Sequence, residues 1–301
     1  MNSIILNLLD ENNIRKDEDS LSYRFEINAE KFDIVFETSE KNEDFYPHTG
    51  ISVLEGICVM YRKSGNQNWL NVGMYFNRTR ITVDMSDFID ADEKYEILIY
   101  APIMAKLSKL QIRIPDEKMI KVLGNIQKRN IVVAGGPISY GMGCTASKSI
   151  FSNIIERKTD GEVHRITFNE KNYLERIYEY YDNNNPPVAD IGVLEVDYFT
   201  QKESVVEDLL PEVILQMKQR CKHLVGWYTI PESKVFKKVI ANHSIQEYIN
   251  QGFKIVDLSY LYSDEHKETF TYNINYLNDS GHVLVFKELM EEIRRLTKWN
   301  I

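Results

Sequence analysis

The chain has 301 residues, of which 43% are hydrophobic and 27% charged, and its formal net charge is −9. This composition is typical of a globular protein long enough for two cores, and it requires neither disorder nor a membrane span. The basic residues are scattered among acidic ones, which argues against a nucleic-acid partner, because nucleic-acid binders concentrate Lys and Arg on one face.

The opening residues and the cysteines indicate where the protein works. Residues 1–9 are largely apolar, but they lack a basic region and are followed at once by Asp10 and Glu11, which is a poor match to a signal peptide. The cysteines are widely spaced and odd in number, at Cys58, Cys144 and Cys221. We therefore expect a cytoplasmic protein with reduced thiols, no metal site, no cofactor and no membrane partner.

The first part of the chain predicts strands in close succession. Short stretches alternate apolar and polar residues, and turn-forming clusters such as 63–66 separate them. The predicted strands are 21–27, 32–37, 51–61, 69–76, 79–83, 95–100 and 107–114. This spacing indicates an all-β sandwich, jelly-roll-like, which we assign to residues 1–122.

Residues 123–301 change to strands alternating with helices. Strands are predicted at 131–134, 162–168, 191–196, 221–228 and 254–258. Helices are predicted at 147–157, 173–181, 205–220, 235–249 and 282–296. Repeated βα units indicate a parallel sheet with helices on both faces.

The segment 131–141 has the pattern of a binding turn. It passes from β-branched residues through Gly135 and Gly136 to Pro137 and Gly141, and a helix-compatible stretch follows. This predicts a strand, a tight turn and a helix. Open α/β sheets bind ligands at the carboxyl ends of their strands, so the turn is the predicted site.

The turn resembles the first block of the SGNH (GDSL-like) hydrolases, Gly-Asp-Ser-Ile-Thr-x-Gly. Three positions match, at Gly135, Ile138 and Gly141, and Ser139 stands at the Thr. The family's Asp corresponds to Gly136, and its nucleophilic Ser corresponds to Pro137. Proline has neither a hydroxyl nor an N–H, so it cannot attack a carbonyl or donate to an oxyanion.

The resemblance covers the whole second half of the chain and includes the layout of the first half. Some carbohydrate esterases of this family carry an N-terminal β-sandwich, and segments 95–102 and 143–147 are similar to stretches of that subset. The resemblance implies a sandwich followed by a flavodoxin-like, three-layer α/β domain with a parallel sheet. For active members it implies ester hydrolysis.

The remaining blocks of the family also lack their functional residues. The second block places Glu170 where the family has an oxyanion-binding glycine, with Asn172 close by, and a carboxylate there opposes oxyanion stabilisation. The third block, 194–199, contains Asp197 and Tyr198 but no asparagine in register.

The last block, Asp-x-x-His in the family, has a different acid and a different base here. Asn278, Gly281 and His282 fix its frame, so the acid position is Asn273 and the base position is Tyr276. A tyrosine with a pKa of about 10 is a poor proton acceptor at neutral pH.

Nucleophile, base, acid and oxyanion donors are thus all replaced, which predicts a pseudoenzyme. We expect it to bind a small molecule, an acylated sugar, a peptide or a protein partner in the former cleft without hydrolysing esters. The residues expected to line that cleft are Gly136, Pro137, Ser139, Glu170, Asn172, Asp197, Tyr198, Asn273 and Tyr276. Aromatic residues on the same side would either stack on a ligand or close a vestigial pocket; they are Tyr198, Phe199, Trp227, Tyr228, Tyr272 and Tyr276.

Two other readings stay open. A divergent esterase or acyl-transfer enzyme would use Cys144 or Ser139 as nucleophile, with Glu170, Tyr276 and Asp197 as acid–base groups, and an exposed Glu170 would argue against it. We expect instead that Cys144 packs, that Ser139 hydrogen-bonds within the turn and that His282 caps or packs the last helix. In the second reading, the β-sandwich acts as a carbohydrate or protein interaction module.

Overall fold

The computed structural model describes residues 3–9, 22–38, 46–90, 92–123, 129–196, 203–229, 241–272 and 276–299. The chain divides into two compact units. The first comprises Met1–Ile126 with Thr145–Lys148, and the second comprises Gln127–Cys144 with Ser149–Ile301. The sequence prediction put a single boundary at 122/123 and did not include the return of Thr145–Lys148 to the first unit.

The first unit contains two antiparallel sheets. One sheet has the order β1-β8-β3-β6, with bounds β1 Ser3–Asn7, β3 Lys31–Thr38, β6 Arg80–Asp84 and β8 Leu107–Pro115. The other has the order β5-β4-β7-β2-β9, with bounds β2 Ser22–Ile27, β4 Ile57–Lys63, β5 Leu70–Tyr75, β7 Tyr95–Tyr100 and β9 Ile120–Val122. The short strands β1 and β9, at the sheet edges, were not predicted.

Both sheets of the first unit contribute to one core. Phe25 and Ile97 from one sheet belong to the same buried cluster as Ile34 and Ile112 from the other. Period-two alternation directs these residues to the core, as in β8, where every second residue from Leu110 to Ile114 is buried. The hydrophobic pattern therefore predicted most of the strands of this unit.

The predicted strand 51–61 is wrong in its first half. Ile51–Leu54 forms a one-turn helix, α1, and the strand β4 begins only at Ile57. The Ser52 hydroxyl donates to the carbonyl of Thr145 at 2.6 Å. A side chain at Gly50 would lie 2.5 Å from the same carbonyl oxygen. This close approach by a distant segment overrides the strand propensity of the apolar residues.

The second unit contains a parallel sheet of five strands, as predicted. Its order is β11-β10-β12-β13-β14, with bounds β10 Asn130–Gly135, β11 Glu162–Thr167, β12 Ala189–Glu195, β13 Cys221–Tyr228 and β14 Lys254–Asp257. Counted within the unit, this order is 2-1-3-4-5, the order of one common class of doubly wound sheets.

Helices cover both faces of this sheet. Among the described residues, the helices of eight or more residues are α3 Phe151–Thr159, α4 Tyr173–Asn183, α5 Glu203–Arg220, α6 His243–Asn250 and α8 Asp279–Thr297. Two short ones, α2 Pro137–Tyr140 and α7 Lys267–Phe270, lie in connecting segments. One apolar cluster joins the sheet to α4, α5 and α6, and a second joins it to α3 and α8.

Two predicted helices differ from the structure. The helix predicted at 147–157 is a 3-10 turn, Ser147–Ser149, followed by α3, because Ile150 has an extended ψ of 128°. The helix predicted at 235–249 is described only from residue 241, and α6 begins at His243 because the Asn242 side chain caps it through the N–H of Ser244. Residues 235–240 lie outside the described part.

Within the described ranges, no helix combines the length and apolarity needed to cross a bilayer. All three cysteines are buried, and none of them forms a disulfide within the described residues.

Candidate functional site

The predicted turn follows β10 and leads directly into α2. Gly136 precedes the helix in an extended conformation, Pro137 is its first residue, and Gly141 ends it with a left-handed φ of 112°. A Cβ at Gly135 would lie 2.4 Å from the Ser139 Oγ, so only glycine fits there. The strand, turn and helix predicted at 131–141 are therefore present, and the turn is tight.

A buried carboxylate accepts hydrogen bonds from two N–H groups of this turn. Glu195, the last residue of β12, is 1% exposed. Its Oε2 accepts hydrogen bonds from the N–H of Gly136 at 3.1 Å and the N–H of Ser139 at 2.7 Å. Pro137, between them, has no N–H to offer. Glu195 is therefore hydrogen-bonded to the N–H groups that, in an acyl-transfer site, would donate to an oxyanion.

The side chains of the turn are themselves covered. Pro137 and Ser139 are buried, and the ring of Tyr173, itself 1% exposed, lies so close to Gly136 that a Cβ there would approach it to 2.8 Å. The Ser139 hydroxyl is buried and has no hydrogen-bond partner among the described residues. The expected hydrogen bond from this hydroxyl within the turn is therefore wrong, because the Ser139 N–H makes the contact instead.

The second-block residues lie at the surface. Glu170 and Asn172 are exposed in the turn before α4. The Glu170 side chain is 56% exposed and faces the Arg176 guanidinium at 3.5 Å. Arg176 also lies over the ring of Phe168, 5.4 Å from its centroid. Glu170 is thus part of a surface ion pair, which disfavours the acid–base role of the divergent-esterase reading.

The last block approaches the loop that follows the turn. Tyr276 is half-buried, and its carbonyl accepts a hydrogen bond from the Tyr272 N–H at 2.9 Å. Gly143 has a φ of +92°, and a Cβ there would lie 2.1 Å from the carbonyl oxygen of Leu277 and 3.1 Å from the Cβ of Tyr276. The Asn278 side chain caps α8 through the N–H of Gly281. The structure thus brings Tyr276 close to the loop that follows the turn.

Three of the predicted cleft residues cannot be located. Asp197, Tyr198 and Asn273 lie outside the described residues, so their places in the cleft stay predictions.

Cys144 and His282 are buried beside this loop, and Asp279 next to them is half-buried. Burial and a hydrogen bond to Asp279 raise the pKa of the Cys144 thiol well above its usual value. Burial lowers the pKa of His282 to about 4, against the opposing effects of Asp279 and the Met142 carbonyl. A thiol in such surroundings is not an activated nucleophile, and a neutral imidazole cannot stabilise a thiolate by its charge.

The His282 ring is held in place by packing. Its Nδ1 accepts a hydrogen bond from the Phe151 N–H at 3.4 Å, and the two rings stack with 6.0 Å between their centroids. Both His282 and Cys144 are 0% exposed. Within the described part of the chain, no group of three or more His, Cys, Asp or Glu side chains is arranged to hold a metal ion.

The aromatic residues expected on the cleft side separate into two kinds. Trp227 is 0% exposed and packs edge-on against Phe151, with 5.3 Å between centroids. It is a core residue, because β13 lies inside the sheet and packs beneath α8. Tyr272 is 52% exposed and Tyr228 is half-buried. Burial of Trp227 agrees with the packing alternative and not with ligand stacking, and Phe199 lies outside the described residues.

No role was predicted for Glu195, which lies in the third block, 194–199. A signal for it exists in the sequence, because an ionisable residue between Leu194 and Val196 interrupts an apolar strand buried on both faces. A buried carboxylate at the end of a strand requires hydrogen-bond donors. In a parallel sheet, the turn that follows the neighbouring strand lies beside that end and offers backbone N–H groups.

Comparison with known proteins identifies similar folds only. No protein-family model matches the chain. No curated protein matches its sequence. Solved structures do match over nearly the full length, so the likeness lies in the three-dimensional arrangement.

A GDSL-like lipase from Bacteroides ovatus ATCC 8483 superposes with a TM-score of 0.73 at 15% identity, over 100% of this chain and 99% of that one. A family two carbohydrate esterase from Cellvibrio japonicus has a TM-score of 0.62 at 9% identity, over 99% of each chain. The salicylyl-acyltransferase SsfX3, from a tetracycline biosynthetic pathway, has a TM-score of 0.59 at 10% identity, over 91% of this chain and 82% of that one.

Proposed function

We propose that this chain, which shares its fold with SGNH (GDSL-like) lipases and esterases, is a pseudoenzyme that binds a ligand in the former cleft without hydrolysing esters. One observation carries the proposal: the Glu195 carboxylate accepts hydrogen bonds from the N–H groups of Gly136 and Ser139. An SGNH-type reaction needs a nucleophile at this turn and donors for the oxyanion. Here the nucleophile position is Pro137, and the two N–H groups already have a partner.

Electrostatics supports the same conclusion. A carboxylate beside the turn repels the negative charge that develops on the carbonyl oxygen in the transition state. The alternative nucleophiles are poorly placed, because Cys144 is buried with a raised pKa and Ser139 is 1% exposed. Glu170 faces Arg176 and solvent. Each group needed for a substitute mechanism is thus either buried or engaged elsewhere.

The ligand we propose is a small acylated sugar. The fold neighbours include proteins described as carbohydrate esterases and an acyltransferase, and the exposed residues near the second and last blocks are Glu170, Asn172 and Tyr272. An exposed aromatic ring stacks on the C–H face of a sugar, and exposed amide and carboxylate groups hydrogen-bond its hydroxyls. A peptide or protein partner would use the same groups.

We also infer the finer architecture and the location of the protein. Two antiparallel sheets that share one core support a jelly-roll-like sandwich in the first unit. A sheet of order 2-1-3-4-5 between two apolar clusters supports a flavodoxin-like, three-layer second unit. Three cysteines outside disulfides support a cytoplasmic location.

Hydrolysis tests the catalytic half of the proposal. The wild-type protein is expected not to turn over p-nitrophenyl acetate or acetylated xylotetraose above the buffer rate. Pro137→Ser is also expected to remain inactive, because the variant regains a hydroxyl but neither a base nor oxyanion donors. Robust turnover that Cys144→Ala or Ser139→Ala abolishes would overturn the proposal in favour of a divergent esterase.

Binding tests the other half. Titration calorimetry with acetylated xylotetraose is expected to show saturable binding that Tyr272→Ala weakens by at least tenfold, since loss of an aromatic anchor costs about 1.4 kcal/mol or more. Glu291→Ala, an exposed change on α8, is the matched control and is expected to leave the affinity unchanged. An absence of binding, or equal losses in the two variants, would contradict the assigned cleft.

A further inference from the structure

The first unit contains a cleft that none of the comparisons assigns. It has a volume of about 610 Å³ and lies between the turn joining β4 to β5 and the loop joining β6 to β7. This volume falls within the range of roughly 300–1,000 Å³ that small-molecule sites occupy. The cleft belongs entirely to the first unit, so it is separate from the turn at Pro137.

Both walls of the cleft are anchored. In the β6–β7 loop, the Met85 carbonyl accepts hydrogen bonds from the N–H groups of Phe88 at 2.8 Å and Ile89 at 3.1 Å. Met85 itself is buried, at 2% exposed. In the β4–β5 turn, the Asn66 N–H donates to the Lys63 carbonyl at 2.9 Å. The Lys63 ammonium pairs with the Glu93 carboxylate of the opposite wall. The cleft is therefore formed before any ligand arrives, which lowers the entropy cost of binding.

The lining combines apolar faces with polar edges. Phe88 is 68% exposed and Leu70 is 54% exposed, although the backbone around Phe88 is fixed to the core. The amides of Asn66 and Asn68 supply both donors and acceptors along the same cleft. A sugar ring presents an apolar C–H face and a rim of hydroxyls, so it fits an exposed aromatic ring flanked by amides.

The charges of the cleft select among possible ligands. Asp87, Asp90 and Glu93 line it, against Arg62 and Lys63. Lys63 is paired with Glu93, and the Arg62 guanidinium lies 3.1 Å from the buried carboxylate of Glu96. Both cations are thus engaged in ion pairs, so the acidic side chains make the electrostatic potential in the cleft negative. A negative potential disfavours phosphates and uronic acids. The described residues offer no group arranged for a metal ion.

From these features we propose that the cleft around Phe88 binds a neutral oligosaccharide. Phe88 stacks on a sugar ring, and Asn66, Asn68, Asp87 and Asp90 hydrogen-bond the hydroxyls. This site is independent of the proposed function, since it needs neither an acyl group nor the residues of the second unit.

The test is calorimetric titration of the full chain with cellohexaose, xylohexaose and mannohexaose. At least one is expected to bind, and Phe88→Ala is expected to weaken that binding by tenfold or more. Phe88→Trp is expected to retain it, because the larger ring still stacks. Phe76→Ala is the matched control, an aromatic residue 40% exposed in the same unit but outside the cleft lining, and is expected to change the affinity less than twofold.

Several results would overturn the proposal. These are no binding of any of the three hexasaccharides, equal losses for Phe88→Ala and Phe76→Ala, or tighter binding of hexagalacturonate than of the neutral sugars. Tighter binding of hexalysine would reassign the cleft to a basic peptide. Phe88 is exposed, so unchanged thermal unfolding of its variants will separate loss of binding from loss of folding. Failure here leaves the esterase tests unaffected, because they address Pro137 and Glu195.

Discussion

Replacing Glu195 by alanine is the most direct probe of the turn. The change removes the acceptor of two buried N–H groups, at Gly136 and Ser139. Leaving a buried donor without a partner costs about 1–3 kcal/mol, so the two together are expected to lower the free energy of unfolding by about 2–6 kcal/mol. Loss of the buried side-chain volume adds to this cost.

Glu195→Gln separates the hydrogen bonds from the charge. A single oxygen, Oε2, accepts both N–H groups, so an amide oxygen in its place still serves them. The expected loss is therefore only about 1 kcal/mol, the difference between charge-assisted and neutral hydrogen bonds. Glu170→Gln, on a side chain that is 56% exposed, is the control and is expected to change stability by less than about 0.5 kcal/mol.

Urea unfolding followed by circular dichroism at 222 nm measures these losses. Helices of eight or more residues occur only in the second unit among the described residues, so the helical signal reports that unit. A loss near 4 kcal/mol corresponds to a decrease in the melting temperature of roughly 8–16 °C for a unit of this size. A loss below 1 kcal/mol for Glu195→Ala, or an equal loss for Glu195→Gln, would refute the assignment of Glu195 as the acceptor that holds the turn.

Three further predictions concern buried groups of the second unit. Because burial lowers the pKa of His282 to about 4, protonation of this group favours the unfolded state. Its contribution to the free energy of unfolding is fully present above about pH 6.5, and roughly 3 kcal/mol of it is lost as the pH decreases to 4. His282→Gln is expected to remove this pH dependence in urea titrations at stepped pH. Cys144 is buried and its thiol pKa is raised, so it is expected to resist alkylation by iodoacetamide at pH 8 until urea unfolds the protein. If mass spectrometry shows rapid alkylation of Cys144 in the folded protein, it becomes a candidate nucleophile again. Arg165→Ala removes a guanidinium that lies 3.3 Å from the buried Glu156 carboxylate, and it is expected to lower the free energy of unfolding in urea by about 3–5 kcal/mol. Arg295→Ala, on a side chain of α8 that is 66% exposed and pairs with Glu291 and Glu292, is expected to lower it by less than about 1 kcal/mol. Equal losses in the two variants would contradict this account.

Local pattern predicted most of the secondary structure, and its errors have a common cause. The strand over 95–100 and the helix beginning near Tyr173 follow from period and propensity, which act over a few residues. The prediction failed at 51–54, where the contact that decides the conformation comes from Thr145, 93 residues away from Ser52. Such contacts leave no trace in a window of ten residues.

The candidate site divides in the same way. The sequence resemblance predicts Pro137 at the nucleophile position and Tyr276 at the base position, and the identity of a side chain limits its chemistry. The partner of the turn cannot be predicted in this way, because Glu195 reaches Gly136 across 59 positions of sequence. Its role becomes visible only when β12 is paired beside β10.

By itself, the sequence determined the succession of a β unit and an α/β unit, and its resemblance to the SGNH hydrolases predicted that the catalytic serine, histidine and aspartate are replaced. These properties depend on residue type and short-range periodicity, which the linear chain contains in full. Only the tertiary structure decided which groups are buried or engaged: Glu195 on the turn, Cys144 and His282 in the interior, Glu170 in a surface ion pair and Phe88 at the edge of a cleft. Burial, hydrogen bonding and pKa depend on neighbours from distant parts of the chain, and those neighbours are set only when the strands pair and the cores close.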